Sequence, residues 1–276
     1  MLRSLDHLVL PAASLKAART RLGALGFTLA ADGVHPFGTA NACVYFSDGT
    51  FLEPLVVADR FAAEAAIAAG NVFVAHDAEY RQALGDEGFS ALVISSDDAR
   101  ADDAAFRANA VSCGPVLDFG RDFVDPDGNR ARMDFRLAFA RAAAMPLALV
   151  FSCQRINAPN ADRSALERHA NGVSGISRIV LEAPDIAAAA AFFRAMLGDP
   201  GEGPVFALGK ARLEIAAGEG PAQFTAIRFR TPNLAKIAAM LDRAGIGYHR
   251  HNGIVAVAPA PGQGATFEFE DENDEA

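Results

Sequence analysis

The apolar and polar positions of the chain fall into strand-like and helix-like stretches, and their order recurs four times. Leu5-Asp6-His7-Leu8-Val9-Leu10 has the length and density of apolar residues of a buried strand. The period then lengthens to that of a helix from Ser14, a favourable N-cap, to Leu25, with Gly26 closing it. Strand-like runs follow at Asn41-Ala42-Cys43-Val44-Tyr45-Phe46 and Phe51-Leu52-Glu53-Pro54-Leu55. They are joined by Ser47-Asp48-Gly49-Thr50, whose Asp-Gly pair tolerates the positive φ of a tight hairpin.

A second unit opens with Phe89-Ser90-Ala91-Leu92-Val93-Ile94. It continues with a helix over 99–110 and ends in a hairpin about Asp125-Pro126-Asp127-Gly128-Asn129. A third opens with Ile176-Ser177-Arg178-Ile179-Val180-Leu181, carries a helix from Asp185 to Leu197 stopped by Gly198 and Pro200, and closes with Ala211-Arg212-Leu213-Glu214-Ile215. A fourth opens with Phe224-Thr225-Ala226-Ile227-Arg228-Phe229, carries a helix over 233–244, and closes with Ala265-Thr266-Phe267-Glu268-Phe269. Four similar units predict two paired modules in each of two domains. Outside the repeat lie an Ala-rich helix, 60–69, followed by a short connection, and the stretch 142–173. The latter includes a strand-like run, Leu147 to Phe151, and is read as the linker between domains.

The length of 276 residues suits two such domains, and 51% hydrophobic against 21% charged residues supplies a core and argues against wholesale disorder. No apolar run approaches the roughly 20 residues needed to span a bilayer. The first residues lead straight into a strand rather than a signal peptide, which makes a cytoplasmic protein the expectation. Formal charge is −9, the only lysines are Lys16, Lys210 and Lys236, and the final residues form an acidic tail. Nucleic acid and membrane are therefore not expected partners, and a small molecule is. The three cysteines, Cys43, Cys113 and Cys153, are widely spaced and form no CxxC pair, as reduced thiols do. Cys43 is read as a small core residue rather than a nucleophile.

With these residues in view, the chain resembles the glyoxalase/bleomycin-resistance/extradiol-dioxygenase superfamily, also called vicinal oxygen chelate. The turn at 125–129, before a final strand, resembles the superfamily's characteristic last hairpin. The strand Leu5–Leu10, the segment His35-Pro36-Phe37-Gly38-Thr39-Ala40-Asn41 and Phe51-Leu52-Glu53 are together similar to its glyoxalase-like domain branch. The resemblance implies an α+β fold: four βαβββ modules paired into two glyoxalase-like domains, residues 1–141 and 174–271, with curled mixed sheets around a cleft. It leaves 142–173 as linker and 272–276 as tail.

It further implies a divalent metal ion (Fe, Zn, Mn or Ni) held by His and Glu on the first and last strands of a module, open to substrate oxygens. Module one offers both positions, His7 and Glu53. Module two offers Ala91 and, counted from its Asp-Gly turn, Arg132 with Asp134 on the same face. Module three offers Arg178 and Glu214; module four, Ala226 and Glu268. Only the first has a first-strand histidine, so the N-terminal domain is expected to carry the chemistry.

His7 has the alternative of a hydrogen-bonded core residue, but a carboxylate buried at Glu53 calls for a cation or donor nearby. His35 is the third candidate metal ligand, with an exposed edge histidine as its alternative. Thr39, Asn41, Arg121 and Asn171 are candidate substrate contacts, Arg121 through a bidentate grip on a carboxylate. His169, in Arg168-His169-Ala170-Asn171-Gly172, is the candidate acid/base, with a helix terminus as its alternative. His76, His249 and His251 carry little weight. Two functions stand open: a metal-dependent lyase, isomerase or dioxygenase acting on a small oxygenated molecule, or a metal-free binding protein of the bleomycin-resistance type. A homodimer fits either.

Overall fold

The computed structural model describes residues 3–124, 130–157, 162–199, 201 and 203–272. The turn at 125–129, Pro200 and residues 273–276 of the acidic tail lie outside the described residues.

Module one runs β1 (Leu5–Pro11), α1 (Leu15–Ala24), β2 (Gly33–Val34), β3 (Thr39–Asn41), β4 (Val44–Tyr45) and β5 (Phe51–Val57). Ser14 caps α1 as its sequence predicts, its Oγ accepting from the Ala17 amide at 3.1 Å. At the hairpin turn Asp48 accepts from the Thr50 amide, and Gly49 takes φ +93°. Two helices follow, α2 (Arg60–Ala68) and α3 (Val72–Leu84). The second replaces the short connection expected there. Asn71 Oδ1 caps it by accepting from Val74, and Phe73, Val74, Asp77 and Tyr80 form its buried side at helical spacing.

Module two contains β6 (Ala91–Ser95), α4 (Ala99–Ala108), β7 (Leu117–Val124), β8 (Arg130–Ala140) and β9 (Leu149–Arg155). Here the expected linker is corrected. β9 lies inside the first sheet, parallel to β6 and antiparallel to β8, so that sheet extends to Arg155. The reason is packing. Val150 faces the helices and Leu149, Phe151 and Cys153 face the opposite side, a two-sided burial that only a central strand provides.

The C-terminal half contains β10 (Gly175–Ala183), α5 (Ile186–Leu197), β11 (Val205–Leu208), β12 (Ala211–Ala217), β13 (Gln223–Thr231), α6 (Leu234–Ala244), β14 (His249–His251), β15 (Ile254–Val257) and β16 (Thr266–Asp271). Among the described residues, α5 is followed by two strands before the next module begins. His249 and His251 lie on an exposed hairpin whose turn, Asn252-Gly253, has positive φ at both residues. No described helix is long and apolar enough to cross a membrane.

The fold is thus α+β, with two curled mixed sheets. One is ordered β2-β3-β5-β1-β6-β9-β8-β7, with β4 on β5; the other is ordered β11-β12-β10-β13-β16-β15-β14. In each, the first strands of two modules pair antiparallel at the centre, β1 with β6 and β10 with β13. The main core lies between the sheets and their helices and joins the two halves. Phe27 packs on Phe229 at 5.4 Å, and Phe89 stacks on Phe224 at 4.7 Å. A second, smaller core fills the hollow of the first sheet, and this hollow holds the polar cluster described next.

Candidate active site

Side chains alternate along β1 and β5, so Val9 and Leu55 face the hollow while Leu8, Leu10 and Leu52 face the helices. His7 and Glu53 share the phase of Val9 and Leu55 and line a cavity of about 70 Å³. That volume holds roughly five waters or a compact organic group. The parallel register sets Glu53 beside Val9, two residues past His7. His7 Nε2 lies 3.3 Å from Glu53 Oε2, and the imidazole stacks on Phe51 at 4.3 Å.

His35 enters from the segment before β3, its Nε2 3.7 Å from Glu53 Oε1. Its ring stacks on Phe37 at 5.0 Å, and its Nδ1 meets Thr39 Oγ1 at 2.8 Å. The short stretch from His35 to Thr39 turns tightly at Gly38, where φ is +86° and a Cβ would stand 2.4 Å from the Asp59 carbonyl oxygen. Asn41 completes the group, donating from Nδ2 to Glu53 Oε1 at 2.6 Å. The structure therefore brings together His7, His35, Asn41 and Glu53, all buried. Thr39 stands behind them as the brace of His35, and Arg121, on β7, lines the cavity wall.

Two predicted residues lie elsewhere. His169 does not line the cavity. Its Nδ1 accepts from the Thr28 amide at 3.0 Å, its Nε2 donates to the Tyr45 carbonyl at 2.9 Å, and its ring sits between Phe27 and Phe46. Both nitrogens are engaged with backbone, and burial lowers its pKa, so it acts as a neutral bracket. Asn171 likewise holds backbone: Nδ2 donates to Leu25 and Oδ1 accepts from Val173.

Two residues were missed. A bulge between Leu5 and His7 breaks the alternation of β1, so Asp6 turns to the side of His7. Asp6 Oδ1 meets His7 Nδ1 at 2.5 Å, and both Asp6 oxygens accept from Arg155 at 2.6 Å. Arg155 ends β9, in phase with Phe151 and Cys153. Extending the strand-like run at Phe151 by four residues at period two would have found it.

Electrostatics follow from these contacts. For Glu53 burial works against the charge, but the contact with His7, the charges of His7 and His35 and the Asn41 amide bring its pKa down to about 2. Asp6 is also held at about 2, through His7 and Arg155 against the penalty of burial. Burial disfavours the His7 cation too, yet Asp6 and Glu53 together raise its pKa. His35 lacks that second carboxylate, and burial, opposed by Glu53 and reinforced by Arg121, lowers it to about 4. Burial first, then the charge of Glu53, pushes the Cys43 thiol up to about 12, consistent with a core residue rather than a nucleophile.

The donor chemistry suits a divalent ion. Two imidazoles and a carboxylate meet at one cavity wall, and each imidazole has its Nδ1 fixed by a side-chain oxygen, the bracing that ligating histidines require. The two rings address different oxygens of Glu53, however, and Asn41 donates to one of them. Among the described residues no three His, Cys, Asp or Glu side chains are already gathered as a metal-holding group.

The other modules lack this set, and the strand registers identify the corresponding residues. In module two the partner of Val93 is Phe151, so the pair matching His7 and Glu53 is Ala91 and Phe151, not Ala91 and Arg132. Arg132 and Asp134 belong to β8 and bind each other at 2.8 Å. In the C-terminal half, Arg178 pairs with Glu214, and Arg228 with Glu268 at 2.7 Å. A guanidinium there occupies the carboxylate.

Comparison with known proteins agrees with this architecture. The chain matches the glyoxalase-like domain family over residues 5–197. Similar solved structures include a hypothetical protein from Staphylococcus aureus (13% identity, 98% of this chain and 100% of that one, TM-score 0.69). Others are a mutant 4-hydroxymandelate synthase from Streptomyces coelicolor (12%, 98% and 93%, TM-score 0.63) and a Mn(II)-bound glyoxalase from Novosphingobium aromaticivorans (12%, 98% and 82%, TM-score 0.57). At such identities the likeness is one of fold. No curated protein matches in sequence. By its matched residues and its paired modules, the chain belongs to the glyoxalase-like domain family, within the vicinal oxygen chelate superfamily.

Proposed function

We propose that this protein is an enzyme acting on a small oxygenated organic molecule in the N-terminal cavity, with a divalent metal held by His7, His35 and Glu53. One observation carries the reading: two imidazoles face one buried carboxylate at an open cavity, each braced on its far nitrogen, by Asp6 for His7 and by Thr39 for His35. The Mn(II)-bound glyoxalase of similar fold adds support. A bound ion would supply Lewis-acid polarisation of a substrate oxygen.

The chain's own groups have separate tasks. Asp6 fixes the tautomer and plane of His7, and Thr39 those of His35. Asn41 Nδ2 offers a donor that can move from Glu53 to a substrate oxygen. The phenylalanine walls lower the local dielectric and so strengthen the polar contacts beside them. Loading the purified protein with Mn²⁺ or Zn²⁺ tests the reading: about one ion per chain is expected, lost in His7→Ala and Glu53→Gln.

A second reading, a metal-free binding protein, is favoured by the 2.6 Å Asn41–Glu53 hydrogen bond and by the carboxylates at both His7 nitrogens. It expects no metal uptake in any of the three proteins.

A further inference from the structure

Three arginines, Arg121, Arg155 and Arg163, line the cavity of a protein whose net charge is −9. Both guanidinium nitrogens of Arg155 facing Asp6 are engaged by that carboxylate. No carboxylate among the described residues pairs with Arg121 or Arg163. Each instead lies over a ring, Arg121 over Phe135 at 5.6 Å and Arg163 over Tyr45 at 4.7 Å. Ring stacking uses the face of a guanidinium and leaves its N–H edge available, so the fork is oriented without being consumed.

Arg121 is also given room by the backbone. A Cβ on Gly33 would stand 2.3 Å from Arg121 Nη1 and 2.5 Å from Asn41 Oδ1. The guanidinium therefore sits against β2 in the same gap as the amide that holds Glu53. Arg121 and Arg163 line one cavity together with Cys43 and with Tyr45, the ring on which Arg163 lies. The remaining wall is largely hydrocarbon, with Phe119, Met133 and Phe151 among its members. Guanidinium forks that no carboxylate among the described residues pairs, set in an apolar, partly enclosed hollow, focus positive potential on whatever enters it.

We infer that the molecule this cavity takes is a carboxylate with a compact apolar body, its carboxylate set between Arg121 and Arg163 and its body against the phenylalanines. The inference rests on reading this cavity as the substrate site, and it names the substrate class. It assigns the anion to the arginines rather than to a metal, which makes it testable with metal removed.

Calorimetric titration of the full chain in EDTA, with benzoate, benzamide and inorganic phosphate as probes, decides it. Benzoate is expected to bind at least about tenfold more tightly than benzamide, its neutral isostere, and than phosphate, which lacks the apolar body. Arg121→Met and Arg163→Met should each weaken benzoate by about tenfold and leave benzamide unchanged. Arg121→Lys, which keeps charge but not the fork, should weaken benzoate less than Arg121→Met. Equal binding of benzoate and benzamide, phosphate binding as tightly as benzoate, no binding of benzoate, or unchanged benzoate affinity in both Met variants would overturn the inference. Metal uptake by the same Arg variants without EDTA separates the two readings: if it persists while benzoate discrimination fails, the metal site stands and the substrate class falls.

Discussion

Asp6 and His7, neighbours in sequence, turn to the same side of a strand, and their side chains meet at 2.5 Å. A regular strand would send them to opposite faces; the bulge at this point does not. The contact continues into Arg155, so three residues on two strands, Asp6 and His7 buried and Arg155 half-buried, form one chain of charge-assisted hydrogen bonds ending at Glu53. Removing one member strands the others. Asp6→Asn should lower stability by about 3 kcal/mol in urea titration, the usual cost of leaving a buried charge without its partner. A double-mutant cycle with Arg155→Met should show strong coupling; additive losses would mean the pair does not act as a unit.

His76, outside the site, gives a pH prediction. It lies buried on α3, donates from Nε2 to the Ser90 carbonyl at 3.1 Å, and its Nδ1 has no partner among the described residues. Burial above all lowers its pKa from 6.5 to about 4. The folded protein keeps the ring neutral where the unfolded chain binds a proton, so stability falls as pH drops from about 6.5 to about 4. The full difference is about 3 kcal/mol. His76→Phe should flatten the stability profile in that window, read by chemical denaturation at several pH values.

The fold was largely legible because strand and helix periods, N-caps and turn pairs agree locally: Ser14, Asp185 and Asn233 cap the helices read from their spacing. His7 and Glu53 were legible because a histidine and a carboxylate inside apolar strands are costly without partners, and His35 and Asn41 because they bound a segment whose glycine and small residues permit close approach. Asp6 was hidden by a bulge, a feature of backbone register that alternation cannot reveal. Arg155 was hidden because β9 follows a break in the pattern and joins the sheet through long-range pairing. His169 and Asn171 look like site residues in sequence, yet their polar groups are needed by backbone at the junction of the two halves.

The C-terminal half makes a contrasting prediction. Its Arg178–Glu214 pair stands where His7 and Glu53 stand in module one, partly exposed to solvent. Arg178→Met with Glu214→Gln should leave metal uptake unchanged and shift stability by about 1 kcal/mol or less. Loss of the metal in this variant would place the site in the wrong half.

Gly33 offers a test that touches no charge. Its φ is not positive, so alanine costs the backbone nothing there, but the new methyl would collide with Arg121 and Asn41. Gly33→Ala should fold normally by circular dichroism and weaken benzoate by several-fold. Unchanged affinity would show that Arg121 is not held by that gap.

The central claim is that one divalent ion sits between two histidines of the N-terminal module. X-ray absorption at the metal edge of the Zn²⁺- or Mn²⁺-loaded protein reads this directly through imidazole scattering. The account predicts two imidazoles and a carboxylate in the wild type, one imidazole in His35→Ala, and no bound ion in Glu53→Gln. A spectrum with no imidazole, or one identical in wild type and His35→Ala, would contradict it.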